Sequence, residues 1–172
     1  RGRLRVDVPS PFARFILIPA LPAFLARYPD IQLDMGASDR TVDIIGENVD
    51  CVVRGGEPNG QSMVARRVAD LPLGVFASPG YLRLAGTPSH PRELENSHQR
   101  IIGFSWGAAG NLYPLVMHRG GETVKVKSRY ALAVDDGNAY LAAGVAGLGV
   151  MWLPRYMSKV HEERGELVAL FE

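Results

Sequence analysis

Cysteine is all but missing: the 172 residues hold one, Cys51. A disulfide within the chain and a metal site built on several thiolates are thereby excluded. Cys51 stands in Cys51-Val52-Val53, a setting that predicts a small buried core residue. A redox sensor would want an exposed thiolate with a resolving partner, and the sequence has no second cysteine. Charge of one sign is lacking too: 19 Lys and Arg face 18 Asp and Glu, for a net +1. Arg66-Arg67 is the densest basic spot between apolar residues, so these residues carry no electrostatic footprint for nucleic acid. No apolar run approaches the ~20 residues of a membrane span, and no signal-peptide pattern is seen. The four histidines, His90, His98, His118 and His161, show no i, i+4 pairing and no cysteine neighbour, so surface positions are expected and no metal site. Repeats and low-complexity tracts are absent.

What is present is 47% hydrophobic content, enough for one domain or two small lobes. The most organised stretch runs from Val134 to Pro154. Asp135 or Asp136 is placed to cap a helix starting near Gly137. Tyr140, Leu141, Gly144 and Val145 then recur at helical spacing with small residues between them. Gly147 is expected to end the helix in a left-handed turn and Leu148 to fold back on it. Gly149 reopens the chain into a short buried strand, Val150 to Leu153, stopped by Pro154.

Upstream, Leu4, Val6 and Val8 alternate with Arg5 and Asp7, the period of a strand. Pro9-Ser10-Pro11 ends it, with Ser10 expected as N-cap and Pro11 as first helical residue. The helix carrying Phe12, Phe15, Ile16, Leu21, Phe24, Leu25 and Tyr28 meets Pro19 and Pro22, where a kink or restart is expected. Strands are expected over 31–35 and 50–54, with Ser38-Asp39 capping a short helix through Val42, Ile44 and Ile45. Such an alternation with short links is a right-handed parallel unit. Beyond the loop at 55–60, strands are expected over 63–68, 73–77, 100–104, 130–134 and 167–170. A hairpin joins 112–117 to 123–127 across Arg119-Gly120-Gly121. Capped or brief helices fall near Ser78 and Pro88–Leu94, and a longer one over 154–164.

The sharpest catalytic pattern is Gly103-Phe104-Ser105-Trp106-Gly107, a match to the G-x-S-x-G nucleophile elbow. Asp135 or Asp136 and then His161 follow in hydrolase order. An elbow needs a helix directly after its serine, and Ala108-Ala109-Gly110-Asn111 followed by Pro114 makes a poor one. No catalytic residue is assigned. Gly144, Gly147 and Gly149 fall late in a helix and after it, so they form no dinucleotide fingerprint and imply no cofactor. What remains is a set of ends: Ser10 after the first strand, Ser38 after the second, Arg54 at the end of the third. In a parallel unit these lie along one edge of the sheet. Two helix N-termini and a guanidinium there suit a small anion, most simply a carboxylate. Arg54 has an equal claim as the partner of Glu57 or Asp39, and plain capping is open to both serines.

Several segments fall in a recognisable order and spacing: Gly2-Arg3-Leu4-Arg5-Val6, Pro19 to Pro29, Asp50 to Gly55, Val64-Ala65-Arg66-Arg67, Ala77 to Leu82, and Asp136 to Pro154. Over nearly its whole length the sequence resembles the effector-binding (substrate-binding) domain of a LysR-type transcriptional regulator. The resemblance implies an α/β, two-lobed, periplasmic-binding-protein-like (type 2) fold, each lobe an α/β sandwich joined by crossover strands. Residues 1–70 would form lobe I, incomplete at its C-terminus; 71–166 lobe II; and 167–172 a crossover strand returning to lobe I. A small, anionic effector would sit between the lobes. By position its contacts would fall on Ser10, Ser38, Arg54, the Phe104-Ser105-Trp106 loop and the Asp136-Gly137 helix start. The same resemblance implies a cytoplasmic protein without cofactor or membrane contact, a homodimer or tetramer through this domain. DNA would be bound by a winged helix-turn-helix outside these residues. The chain opens at Arg1 rather than methionine and reads as a piece of a longer protein. A transporter's solute-binding protein shares the fold and competes with this reading; an α/β serine hydrolase using Ser105 is the other competitor.

Overall fold

The computed structural model describes residues 2–40, 46, 48–56, 64–106 and 110–172, the side chains of Trp106 and Arg119 excepted. The chain divides into two compact units, Arg1–Leu71 and Pro72–Glu172.

In the first unit, β1 (Gly2–Val8) is the central strand of a parallel sheet, between β2 (Ile31–Ala37) and β3 (Cys51–Val52). The apolar positions of β1 grow more buried toward its end, and Val8 is fully enclosed. Between β1 and β2 the chain is helical in three registers: α1 (Ser10–Phe12), a π-helical stretch (Ala13–Leu17) and α2 (Ile18–Arg27). The irregularity expected at the prolines falls one turn earlier, where the Ile18 N–H reaches back to the Ala13 carbonyl. Pro19 has no N–H to offer the turn before it, and a widened turn absorbs the missing rung. Pro22 is then accommodated inside α2.

Two expectations for this unit are corrected. Ser10 is the first helical residue, not the cap: Pro9 holds the N-cap position and Pro11 comes second. Cys51 is exposed rather than buried. It lies on a two-residue edge strand, where alternation turns it away from the half-buried Val52. The short helix expected through Val42, Ile44 and Ile45 lies outside the described residues.

The second unit is built on β4 (Leu73–Ala77), flanked on both sides by antiparallel partners, β10 (Met151–Pro154) and β11 (Val168–Leu170). The last strand, expected to return to the first lobe, thus pairs within the second unit. A second sheet places β5 (Ile101–Trp106) between β6 (Asn111–Leu112), antiparallel, and β9 (Tyr130–Val134), parallel. The two sheets are stitched where the Ile102 N–H donates to the Val150 carbonyl (2.8 Å) and the Val150 N–H to the Arg100 carbonyl (2.9 Å). β7 (Leu115–Arg119) and β8 (Glu122–Val126) form the expected hairpin, turned by Gly120 and Gly121 at φ +55° and +84°, the two left-handed positions of a type I′ turn. Helices α3 (Pro79–Ala85), α4 (Gly137–Val145) and α5 (Arg155–Glu163), with a 3-10 turn at Pro91–Glu95, complete the unit.

Its core gathers Ala77, Tyr81, Leu82, Leu94, Leu115, Val124 and Val150. Tyr81 ties α3 to the start of β5. Its hydroxyl donates to Gln99 Oε1 (2.8 Å) and accepts from the Arg100 N–H (2.8 Å), while the Gln99 amide donates to the Ala85 carbonyl (2.9 Å). Burial pushes the Tyr81 phenol pKa upward, against the opposing pull of the Arg100 N–H and charge. No strand is assigned across Val64–Val68, and both valines are exposed. A strand forms only beside a hydrogen-bonding neighbour, and no described strand pairs with this segment.

Candidate functional site

Each unit brings part of the expected constellation together, at or beyond the carboxyl end of parallel strands. Phe104, Ser105 and Trp106, expected as a loop, are the last residues of β5, paired with β9 and β6. In the first unit, parallel pairing sets Val8 level with Ala37 and Asp7 level with Val52. Ser10, Ser38 and Arg54 therefore all fall on one edge of the sheet. The Ser38 N–H extends the ladder by donating to the Val8 carbonyl (3.0 Å), and Ser10 opens α1 two residues after β1.

Among the described residues Arg54 is held by Asp7 and two backbone carbonyls. Glu57 lies outside the described residues. The guanidinium Nη2 donates to the Asp7 carboxylate and to the Arg40 carbonyl (3.2 Å), and Nη1 donates to the Val53 carbonyl (2.8 Å). The Asp7 side chain is 10% exposed and that of Arg54 30%. A buried carboxylate requires such a partner, because desolvation of an unpaired charge costs several kcal/mol.

Asp7 is not among the expected site residues, because alternation groups it with Arg5 as a polar position of β1. The signal was the register. Asp7 lies directly across from Gly36 on one side and Val52 on the other. Any Cβ at position 36 would run into the Asp7 carboxylate.

In the second unit, Phe104 pairs in register with Val134, and the Ser105 hydroxyl donates to the Val134 carbonyl (3.3 Å). Of the two acids offered as cap to α4, Asp136 takes the role: its Oδ1 accepts from the Ala139 N–H (2.8 Å) at φ −122° and ψ 129°. Gly137 follows as a buried first helical residue. Phe104 packs edge-on against Tyr140, ring centroids 5.3 Å apart, and faces Tyr113 at 6.0 Å. The Tyr140 hydroxyl accepts from the Trp152 N–H (3.2 Å), and burial raises its pKa far above the usual phenol range. It serves as a neutral brace between α4 and β10. The Trp106 backbone pairs with Asn111; its side chain, like residues 107–109, lies outside what is described.

Close packing explains the glycines here. A Cβ on Gly103 would stand 3.0 Å from that of Ala133 across the parallel pair. One on Gly144 would run into the Met151 side chain, so α4 lies tight on β10. The expected left-handed stop is present: Gly147 has φ +83°, its N–H donates to the Gly144 carbonyl (3.0 Å), and the Leu148 N–H donates to the Ala143 carbonyl (3.1 Å). That is the Schellman pattern.

The hydrolase geometry is not assembled. Ser105 lies within a strand whose next assigned element is the antiparallel β6 rather than a helix. Asp136 is engaged as a cap, and His161 Nδ1 pairs with Glu166 Oε2 at 2.5 Å. Among the described residues no group of three or more His, Cys, Asp or Glu is arranged to hold a metal ion, and no helix is long and apolar enough to cross a membrane.

Comparison with known proteins adds an independent finding. The family model described as LysR substrate binding domain matches residues 1–172. An HTH-type transcriptional repressor of Pseudomonas aeruginosa is 36% identical over 149 residues, 87% of this chain and 46% of the relative. The HTH-type regulator YhjC of Escherichia coli is 34% identical over 173 residues, 97% of this chain and 55% of the relative. The chain thus spans about half the length of the curated relatives it matches. Among solved structures, the regulatory domain of CrgA from Neisseria meningitidis superposes with a TM-score of 0.77 at 27% identity, covering 99% of this chain and 81% of that one. The full-length Vibrio cholerae virulence activator AphB superposes at 0.79 and 28% identity, covering 98% of this chain and 56% of that one.

Proposed function

Because this chain belongs to the family of LysR substrate-binding domains, we propose that it senses a small anionic effector on behalf of a transcriptional regulator. The observation that carries the ligand reading is the gathering of Ser10, Ser38 and Arg54 beyond the carboxyl ends of one parallel sheet. Strand ends, helix starts and a guanidinium are the groups that take a carboxylate in an open α/β fold. Phe104, Ser105, Trp106, Asp136 and Gly137 lie at the carboxyl ends of the parallel pair in the second unit and are proposed as further contacts to the effector.

DNA would be bound by a helix-turn-helix elsewhere in the full protein, in the cytoplasm, as a homodimer or tetramer. The named relatives are transcriptional regulators, which favours this reading over a transporter's solute-binding protein. The effector acts by population shift: it stabilises whichever arrangement of the domain it binds more tightly, and the coupled DNA-binding domains report the change.

The test is operator affinity of the full-length regulator, measured by fluorescence anisotropy with and without saturating ligand. A coupling of about 1–3 kcal/mol predicts a change of roughly 5- to 150-fold. Operator affinity unmoved by a ligand that demonstrably binds would refute the sensing role.

A further inference from the structure

The pairing of Arg54 with a buried acid bears on which ligands its edge of the sheet accepts. A bare guanidinium offers five N–H donors, and two adjacent ones grip phosphate or carboxylate as a fork. Here Nη2 has both its protons engaged, by Asp7 and the Arg40 carbonyl, and Nη1 has one of two engaged by the Val53 carbonyl. Among the described contacts Nε–H and one Nη1–H remain, and each fork edge has lost a prong. The positive charge is also balanced, by a carboxylate 90% shielded from solvent. The next charges along the neighbouring loop, Asp39 and Arg40, are one of each sign.

Resting on the effector-sensing reading above, we infer that Asp7, in the space Gly36 leaves open, positions Arg54 and cancels its charge. The site thereby selects a ligand with one carboxylate or a neutral carbonyl over a polyanion. Asp7 is a positioning and specificity-determining residue that does not itself touch the ligand. Gly36 belongs to the same device, since a side chain there would push the Asp7 carboxylate off its partner.

The experiment is isothermal titration of the full chain with benzoate and pyruvate as monocarboxylates, and with citrate and inorganic phosphate as polyanions. The wild type is expected to bind at least one monocarboxylate about tenfold more tightly than either polyanion. Asp7→Asn keeps the shape but frees the charge, and should move the monocarboxylate-to-citrate ratio by at least about fivefold toward citrate. Gly36→Ala should move the ratio the same way and serves should Asp7→Asn not fold. A purely structural role would weaken every probe alike and leave the ratio fixed. A fixed ratio in the variants, a wild type that prefers citrate or phosphate, or silence from all four probes overturns the assignment. A ligand from a wider screen whose preference over citrate is the same in wild type and Asp7→Asn would overturn it while leaving the sensing role intact.

Discussion

Asp7 shows what a single residue does to the expected behaviour of Arg54. From the sequence, removing Arg54 is a clean test of ligand binding. In the structure it also strands a buried carboxylate. Arg54→Ala should therefore destabilise the first unit by roughly 2–3 kcal/mol, below the range for a fully buried pair because Arg54 keeps some solvent access. Denaturant unfolding monitored in that unit would show the loss, and an unchanged midpoint would mean that the pair contributes nothing.

Glu93 offers a residue-scale prediction with a pH sign. The Ser89 hydroxyl (2.6 Å) and N–H (3.0 Å) both donate to its carboxylate, and these bonds lower its pKa. A depressed acid contributes stability that is present above its unfolded pKa and lost as pH falls through its folded one. Glu93→Gln should thus be less stable than wild type at neutral pH, with the difference vanishing in acid below the folded pKa. A difference that grows toward low pH would contradict the assignment.

At the scale of elements, α4 was legible almost in full, because caps and stops are local chemistry. Asp136 at one end and the Gly147–Leu148 pattern at the other depend on residues within one turn. Asp136→Ala should cost about 1 kcal/mol, most of it restored by Asp136→Ser. Failure of serine to restore thermal stability would deny the capping role. Gly144→Ala should cost roughly 1–3 kcal/mol by driving Met151 off α4.

Where the sequence misled, a partner distant in the chain decided the outcome. Asp7 is buried because Gly36 on β2 and Arg54, two residues past β3, arrive beside it. Cys51 is exposed because its strand is short and lies at an edge. A strand is expected over 63–68, yet no described strand pairs with residues 64–68. The widened turn at Ala13–Leu17 answers to Pro19, but no pattern specified which turn would take the adjustment.

For the molecule as a whole, the order of weak signals carried further than any one of them. The glycines, prolines and caps from Gly2 to Pro154 each had a local explanation, and together they pointed to the family whose model spans the chain. Side-chain placement in the ligand site was less legible, since it depends on register between strands. The two units also differ in depth of core. Among the described residues, the first buries Val8, Ala13 and Val49 and leaves Ile16, Ile18, Leu25 and Tyr28 at the surface, whereas the second holds most of the fully enclosed side chains, Phe76, Leu94, Val150 and Met151 among them. Amide exchange should accordingly be slower in β4 and β10 than in β1 and β2.

The central claim, that this chain senses a small carboxylate-bearing molecule, is tested most directly by a thermal-shift screen of the chain against aliphatic and aromatic organic acids. A ligand at a hundred times its Kd adds about 2.7 kcal/mol, which for a chain of this size raises Tm by roughly 5–10 °C. Such a shift is expected with a monocarboxylate and should be lost in Arg54→Lys, which keeps the charge but not the planar donors. A flat response across the acids, or a shift that survives Arg54→Lys undiminished, would contradict it.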